Sequence, residues 1–337
     1  MRALVTGGGG FIGKWIVKKL VERKDQVRVL GRRKYPDLLK IGVETIQGNI
    51  CHRQTVEDAC QGIDCVFHVA ALTGIWGPWE EFYQANVIGT RHVISGCQKH
   101  GVPRLVYTSS PSVVFDQADQ IDLDETAPYP KEYLCPYPET KAMAEQMVLK
   151  ANGQAGLSTT ALRPHLVWGP GDTNLIPRLL DRARKGKLMR VGNGTNKVDL
   201  TYVENVAQAH LLAADRLAPS SPVAGEAFFI SQGEPVLLWA WIDQFLRRMD
   251  IPGIRRSIPV VLAREIGRVT EKYYQLFHLK GEPIMTRFLA SQLGTSHYFN
   301  ISKARERLGY IPQVSMAEGL NRLVAWYSRP EEEKRQE

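Results

Sequence analysis

Short apolar runs alternate with longer segments of helical period through the first half of the chain. Runs of four or five residues bounded by turn formers are typical of buried strands. They occupy positions 3–6, 27–30, 43–47, 65–69, 105–109 and 158–162. Between the first two runs, Ile12, Ile16 and Leu20 fall on one face of a helix over 13–23. Strands that alternate with helices form parallel sheets, so the pattern predicts an α/β fold, a doubly wound parallel sheet of the Rossmann type.

The pattern loosens after about residue 170, where Pro and Gly divide the chain into short helices and loops. One apolar run, 227–230, suggests a late return to the sheet, and the last amphipathic segment covers 316–327. We therefore predict three regions. They are a nucleotide-binding core over 1–170 with a late sheet contribution near 198–232, a smaller, mostly helical substrate-binding lobe over 171–197 and 233–330, and a charged tail over 331–337.

A glycine-rich turn, TGGGGFIG at residues 6–13, joins the first predicted strand to the first helix. In that context the first glycine permits a tight turn, a later one lets the backbone approach a pyrophosphate, and the last lets the helix pack on the strand. The start of the helix also offers free N–H groups to the phosphates. We expect a dinucleotide to contact Gly7, Gly9, Gly10, Phe11, Ile12 and Gly13. A glycine-rich loop without a ligand is the alternative.

The second predicted strand ends in GRRK, residues 31–34, and not in the carboxylate that would accept hydrogen bonds from the adenosine ribose. Guanidinium groups bind phosphate through several charge-assisted hydrogen bonds. We therefore expect Arg32 and Arg33 to hold the 2′-phosphate of NADPH or NADP, with NAD less favoured. Exposed loop charge is the alternative. Asn49 and Ile50 are expected near the adenine, and Ala70 in the dinucleotide groove.

Tyr137 and Lys141 lie four positions apart in YPETK, so on a helix both side chains fall on one face. A nearby cation favours the phenolate and lowers the pKa of the phenol, which helps it to move protons. A surface pair without a catalytic role is the alternative. After an earlier strand, YTSSPSV at 107–113 offers Ser110 to polarise a substrate carbonyl. Ser109 and Ser112 are candidates for satisfying backbone groups.

Several motifs together resemble the extended short-chain dehydrogenase/reductases over nearly the full chain: TGGGGFIG, HVAA, NVIGT, YTSS, YxxxK and LRPxxVWGPGD. Within that superfamily DLTYVENVA and LGYIP are similar to the 3β-hydroxysteroid dehydrogenase group. The segments GIWG and PRL are further similar to an NADPH-dependent ketoreductase branch of the group.

The resemblance implies that Ser110, Tyr137 and Lys141 form the catalytic set and that Asn86 supports a water-linked proton path. It also implies that Tyr137, Lys141 and Pro164 adjoin the cofactor, and that the protein is a homodimer. Two residues depart from the usual pattern: Asn49 replaces an aspartate, and Pro138 is an unusual neighbour of the tyrosine. A proline at the start of a helix is tolerated, because its missing N–H would have no partner there.

Composition narrows the remaining choices. The net charge of +8 comes without a nucleic-acid motif, so we expect no nucleic-acid partner. Five cysteines without CxxC spacing indicate neither disulfides nor a metal site. Neither a signal peptide nor an apolar run of about 18 residues is found, which predicts a cytoplasmic protein. The basic, apolar segment 258–277 fits contact with a membrane or pathway partner, or a buried helix pair.

The loop 72–82 and the segment 239–279 are rich in aromatic and apolar residues and are candidate substrate walls. They favour a hydrophobic, lipid-like substrate, and packing of the tryptophans in a core is the alternative. The sequence thus predicts an NADP(H)-dependent oxidoreductase that interconverts a ketone and a secondary alcohol. A nucleotide-sugar epimerase or dehydratase and a non-catalytic NADP-sensing protein are the alternatives.

Overall fold

Residues 1–330, the part of the chain that the computed structural model describes, contain fifteen strands and twelve α-helices. The strands are β1 (Arg2–Thr6), β2 (Gln26–Gly31), β3 (Glu44–Gln47), β4 (Cys65–His68), β5 (Arg104–Thr108), β6 (Gln120–Leu123), β7 (Ser158–Pro164), β8 (Val167–Trp168), β9 (Arg190–Val191), β10 (Lys197–Val198), β11 (Thr201–Tyr202), β12 (Ala227–Ile230), β13 (Val236–Leu237), β14 (Ser257–Ile258) and β15 (His297–Phe299). The helices are α1 (Phe11–Glu22), α2 (Pro36–Lys40), α3 (Arg53–Cys60), α4 (Trp79–Phe82), α5 (Gly89–Lys99), α6 (Pro136–Lys150), α7 (Leu175–Arg184), α8 (Val203–Arg216), α9 (Leu238–Arg248), α10 (Val260–Leu276), α11 (Arg287–Gly294) and α12 (Met316–Ser328). The predicted tail, 331–337, lies outside the described residues.

Seven parallel strands form the central sheet in the order β12–β7–β5–β4–β1–β2–β3. Side chains alternate between the faces of a strand, so Leu4 and Val5 enter two different apolar cores. One core lies under α1 and α8, and the other lies under α3, α5 and α6. Both faces are covered, as parallel sheets require, and the predicted fold class is confirmed.

The predicted strands all exist, with ends that differ by one or two residues. Of the late segment near 198–232, only Ala227–Ile230 joins the central sheet, at its edge beside β7. Lys197–Val198 and Thr201–Tyr202 pair in smaller sheets instead. These segments are too short to extend the central sheet and serve to connect it to the second lobe.

A further apolar core is formed by α7, α9, α12 and the start of α10, and we call these elements the second lobe. Trp168, Tyr202 and Trp241 pack edge to face at its centre. A four-stranded sheet, β13–β10–β15–β6, ties this lobe to the first half of the chain, because β15 pairs with β6. That pairing places residues 297–299 beside the carboxyl ends of the central strands. None of the helices within residues 1–330 combines the length and the apolar character needed to cross a membrane.

Candidate active site

The glycine-rich turn lies against the loop after β4 and leaves no room for side chains. Gly7 has φ +70°, and a Cβ there would lie 2.9 Å from the Ala70 backbone. A Cβ on Gly13 would lie 2.2 Å from the Gly7 carbonyl oxygen. Helix α1 begins at Phe11 without a side-chain cap, so the N–H groups of its first turn are available to a phosphate. This geometry fits the pyrophosphate of a dinucleotide.

Two exposed arginines follow β2 at the adenosine end of this cradle. Neither the Arg32 nor the Arg33 side chain makes a hydrogen bond or ion pair with another described residue. Arg32 lies close enough to Cys51 to oppose the rise in the pKa of that thiol which burial causes. Between β2 and the glycine turn, the Tyr35 ring covers Gly9. The site therefore offers two exposed guanidinium groups that no described side chain engages.

The predicted adenine contacts lie in the turn after β3. The Asn49 side-chain oxygen accepts a hydrogen bond from the Cys51 N–H at 3.0 Å, which leaves the Asn49 amide donor available. Ile50 is buried and packs closely on Gly89 of α5. The turn thus presents one apolar and one polar side chain beside the Arg32 loop.

A chain of buried polar groups links the cofactor cradle to Asn86. Thr90 Oγ1 donates to the Asn86 carbonyl at 2.6 Å, so it accepts from His68 Nε2 at 2.9 Å. His68 Nδ1 then accepts from Thr6 Oγ1 at 2.7 Å, and Thr6 Oγ1 accepts from the Ala70 N–H. Burial, and secondarily the charge of Lys141, lowers the pKa of His68 to about 3, so the ring is neutral. The donor and the acceptor of every hydrogen bond in this series are therefore defined.

Asn86 fastens the loop after β4 to helix α6. It lies in a π-helical turn, Tyr83–Ile88, and its side-chain oxygen accepts from the Leu72 N–H at 2.8 Å. Its amide donates to the Leu72 carbonyl at 3.1 Å and to Thr140 Oγ1 at 3.0 Å. Asn86 is fully buried. Its contacts fix the position of α6 relative to the dinucleotide groove.

Helix α6 begins Pro136-Tyr137-Pro138, so Pro138 is the third helical residue rather than the first. The proline is still tolerated there, because the first four N–H groups of a helix have no intrahelical partner. The Tyr137 side chain lines a cavity, while Lys141 lies one turn further along the helix and is 2% exposed. The helix thereby aims the phenol at open space and the amine into the protein.

Lys141 binds the end of strand β5. Its Nζ donates to the Thr108 carbonyl at 2.6 Å and lies 4.1 Å from the centre of the Tyr107 ring. Burial lowers the pKa of Lys141 to about 7, partly opposed by Glu145. The ammonium is therefore easily deprotonated near neutral pH.

The pKa of Tyr137 is raised to about 12, chiefly because the phenol is buried, while hydrogen bonding with Ser110 opposes the rise and Cys135 adds to it. The expectation that Lys141 lowers this pKa is wrong for the described arrangement. The physical reason is that the Lys141 amine donates its hydrogen bond to the Thr108 carbonyl of β5 and not to the phenol. Tyr137 is thus protonated at neutral pH and has Ser110 as its polar neighbour.

A cavity of about 150 Å³ opens between the two lobes at this point. Its walls include Ser110, Tyr137, Phe115, Phe288, His165 and His297. The Ser110 and Ser112 hydroxyl oxygens are 2.9 Å apart, whereas Ser109 Oγ is enclosed without a hydrogen-bond partner among residues 1–330. Cavities for whole ligands measure roughly 300–1,000 Å³. The space therefore suits a reacting head group, with any long chain extending outward.

The structure gathers the predicted catalytic residues but only part of the predicted substrate wall. Trp239 lies in the core of the second lobe, as its alternative interpretation proposed. In the loop 72–82, Trp76 contacts Tyr274 of α10 edge to face, and Trp79 Nε1 donates to Glu139 at 3.1 Å. Pro164 ends β7 directly before His165. No motif in the sequence had indicated that His165 or His297 would line the cavity.

Comparisons with known proteins agree with this geometry. The model of the 3-beta hydroxysteroid dehydrogenase/isomerase family matches residues 4–260. The chain is 48% identical over 328 residues to a 2-alkyl-3-oxoalkanoate reductase of Stenotrophomonas maltophilia, covering 96% of this chain and 99% of the relative. It is 36% identical over 327 residues to the decarboxylating sterol-4-alpha-carboxylate 3-dehydrogenase of Mus musculus, covering 96% and 90%.

Among solved structures, MoeE5 in complex with UDP-glucose and NAD superimposes with a TM-score of 0.75 at 26% identity, covering 97% of this chain and 98% of that one. The structure combines this fold with the glycine cradle and the Ser110–Tyr137 cavity. Two relatives of the chain are named as a reductase and a dehydrogenase. The chain therefore belongs to the 3β-hydroxysteroid dehydrogenase/isomerase family of the extended short-chain dehydrogenases/reductases, and it is an NAD(P)-dependent oxidoreductase that acts on CH–OH and keto groups.

Proposed function

We propose that this chain is an NADPH-dependent reductase of hydrophobic 3-keto acids, in which Tyr137 donates the proton. The observation that carries the proposal is the cavity between the lobes, where Tyr137 and Ser110 lie together on a space sized for a head group. The relative at 48% identity, named for reduction of 2-alkyl-3-oxoalkanoates, supports this substrate class. A ketone held there would meet a phenol and a hydroxyl.

Reduction of a ketone needs a hydride at carbon and a proton at oxygen. The reduced nicotinamide supplies the hydride when it is bound. Ser110 donates a hydrogen bond to the carbonyl oxygen and so stabilises the charge that develops there. Tyr137 is protonated because its pKa is about 12, and it gives its proton to that oxygen, so that the product is an alcohol. Lys141 binds the end of β5, and Asn86 holds α6 and the loop after β4 in fixed positions relative to each other.

The preference for NADPH rests on Arg32 and Arg33. Both side chains are exposed and uncommitted, and the end of β2 has no carboxylate to repel a 2′-phosphate. We expect Arg32→Glu to lower kcat/KM for NADPH about tenfold or more while NADH is much less affected, because it replaces an attraction to phosphate with repulsion. Lys24→Glu, an exposed charge change on the turn after α1, is the matched control. Equal losses with both cofactors would contradict the assignment.

The direct test is the loss of NADPH absorbance with long-chain 2-alkyl-3-keto acids, 3-ketosteroids and UDP-sugars as substrates. We expect turnover of the keto acids and none of it in Tyr137→Phe. Turnover of ketosteroids alone would assign a sterol as the substrate. Conversion of a UDP-sugar without net NADPH consumption would favour the epimerase alternative, for which the UDP-glucose bound in the MoeE5 structure is weak support.

The outer face of α10 supports a proposal about the partner that delivers such a substrate. Val261 and Leu276 are 74% and 73% exposed, and Leu262, Val269 and Tyr273 are also exposed on this helix. Its opposite side packs on α11. An apolar face on a chain of net charge +8 complements an anionic lipid surface. We infer that α10 rests on anionic membrane lipids, close to the Trp76 loop.

Cosedimentation with phosphatidylglycerol vesicles, compared with phosphatidylcholine vesicles, tests this contact. We expect Val269→Glu to abolish binding, and Leu39→Glu, which changes an exposed apolar residue on α2, to leave it intact. Light scattering supplies the competing outcome. A wild-type dimer that Val269→Glu converts to a monomer would assign the face to a second copy of the chain and overturn the lipid proposal.

A further inference from the structure

Two buried histidines lie side by side in the wall of the cavity. His165 directly follows β7, and His297 begins β15. His165 Nε2 and His297 Nδ1 are 2.6 Å apart, and the two rings stand nearly perpendicular. One residue comes from each half of the chain, and the pairing of β15 with β6 brings them together.

The hydrogen bonds of this pair fix the position of each proton. The Gln292 backbone carbonyl can only accept, so His297 Nε2 donates to it at 2.7 Å. A neutral His297 must then accept at Nδ1, and the proton of the short bond belongs to His165 Nε2. A neutral His165 is left with a bare Nδ1. That atom has no hydrogen-bond partner within residues 1–330. It is also not fully enclosed, so a ligand can reach it.

Among the described residues of the cavity wall, His165 and His297 have the only side chains that can gain a positive charge. The other polar side chains there are Ser110, Ser112, Gln120, Tyr137 and Gln292. Burial lowers the pKa of both histidines, and for His165 the neighbouring His297 adds to the effect. Asp119, beyond the cavity, weakly opposes the shift at His297. Without a bound anion the pair is therefore neutral.

A 3-keto acid carries its carboxyl carbon two bonds from the ketone carbon. If Tyr137 and Ser110 hold the ketone oxygen, the carboxylate must lie within the same small cavity. A carboxylate there needs a proton donor, and His165 Nδ1 is the one nitrogen of the pair that can take up a proton without breaking an existing bond. A protonated His165 would keep its Nε2 contact with His297 and donate from Nδ1.

We propose that His165 binds the carboxylate of the substrate through Nδ1 and gains one proton as it does so, with His297 as the residue that orients it. This inference rests on the proposed function and narrows the substrate to ketones with a free carboxylate nearby. The proton comes from solvent and returns to it when the product leaves, so it is not consumed in the reduction. Neutral ketones would lack the contact.

Two substitutions test the roles of the two ring nitrogens of His165 independently. The amide of His165→Gln reaches the position of Nε2 and can still contact His297, but it removes the Nδ1 site. The amide of His165→Asn stays near Nδ1 and loses the contact with His297. His92→Gln, in a histidine outside the cavity wall, is the control.

The first readout is the ratio of kcat/KM for a 2-alkyl-3-keto acid to that for its methyl ester. We expect His165→Gln to lower this ratio about tenfold or more, mainly through the KM of the acid, because a charge-assisted bond is lost. His92→Gln should leave the ratio unchanged. An unchanged ratio in a folded His165→Gln protein, checked by its thermal transition, would overturn the inference.

The second readout needs only the wild-type protein. Calorimetric titration with a long-chain 2-alkyl-3-hydroxy acid, in buffers of different ionisation enthalpy, counts the protons taken up on binding. We expect about one proton per acid near pH 8 and none for the methyl ester. Binding without proton uptake refutes the inference even if reduction is observed. Proton uptake without any reduction of keto acids would instead count against the proposed function alone.

Discussion

The buried ammonium of Lys141 should make the folded protein less stable than a variant without it. The pKa of this amine is about 7 in the fold, against a usual 10.5, because burial removes its hydration. At pH 7 that difference corresponds to about 4 kcal/mol of unfavourable free energy. Lys141→Met removes this cost and also the hydrogen bond to Thr108, worth about 1 kcal/mol. We expect a net stabilisation of about 3 kcal/mol, or roughly 4 °C in Tm for a chain of this size.

The gain should depend on pH in a defined direction. Between pH 7 and 10.5 the unfolded chain binds the lysine proton more tightly than the folded chain, so wild-type stability rises with pH across this window. The advantage of Lys141→Met should therefore be largest at or below pH 7, fall to about 1 kcal/mol near pH 9, and disappear at higher pH. Urea unfolding at several pH values, followed by circular dichroism, measures it.

Lys150→Met provides the control, because Lys150 is exposed at the end of the same helix. It should change stability little at any pH. Lys141→Met should also lose nearly all reductase activity, so stability and activity would move in opposite directions. A lower Tm for Lys141→Met at pH 7, or an advantage that grows with pH, would show that the amine is not paying a burial penalty.

Further substitutions test the active site and the structure that supports it. Tyr137→Phe should lower kcat at least 100-fold while NADPH binding, followed by fluorescence, stays within about threefold, because only the proton donor is lost; retained turnover would rule out the proposed acid. Gly13→Ala should weaken dinucleotide binding tenfold or more, since its Cβ would meet the Gly7 oxygen, and unaltered affinity would mean that the turn adapts. Arg163→Met should destabilise the fold by about 3–5 kcal/mol in urea, because it leaves the buried Glu145 carboxylate without its charged partner and with only the Tyr129 hydroxyl as a donor from a side chain. Adding Glu145→Leu should restore much of that stability, and a further loss would contradict the explanation.

Local patterns were sufficient to predict the strands and helices of the first half of the chain. The glycine turn, the strands around it and the spacing of Tyr137 and Lys141 are each contained in a short stretch of chain, and the structure places them as predicted. Their interpretation depends on backbone geometry that the central sheet enforces. The same short-range logic also selected Ser110, which lies two residues after β5 and lines the cavity together with Tyr137.

Properties that arise from distant contacts were not predictable in this way. The pKa of Tyr137 depends on burial and on which atom Lys141 contacts, and a spacing of four residues specifies neither. His297 lines the cavity only because β15 pairs with β6. The tryptophans at 239 and 241 have the composition of a substrate wall, yet tertiary packing places them in a core.

The pairing of β6 with β15 has a consequence for the order in which the protein is made. Asp119, beside β6, accepts a hydrogen bond from Ser296, beside β15, and the two residues are 177 positions apart. A nascent chain emerges from its N-terminus, so most of the dinucleotide cradle is complete when β7 appears, well before β15 has been synthesised. A chain still on the ribosome could thus bind its cofactor before it has a place for substrate. Early cofactor binding would stabilise the half-made protein by mass action, and the enzyme would become active only when the segment that contains β15 has folded back onto β6.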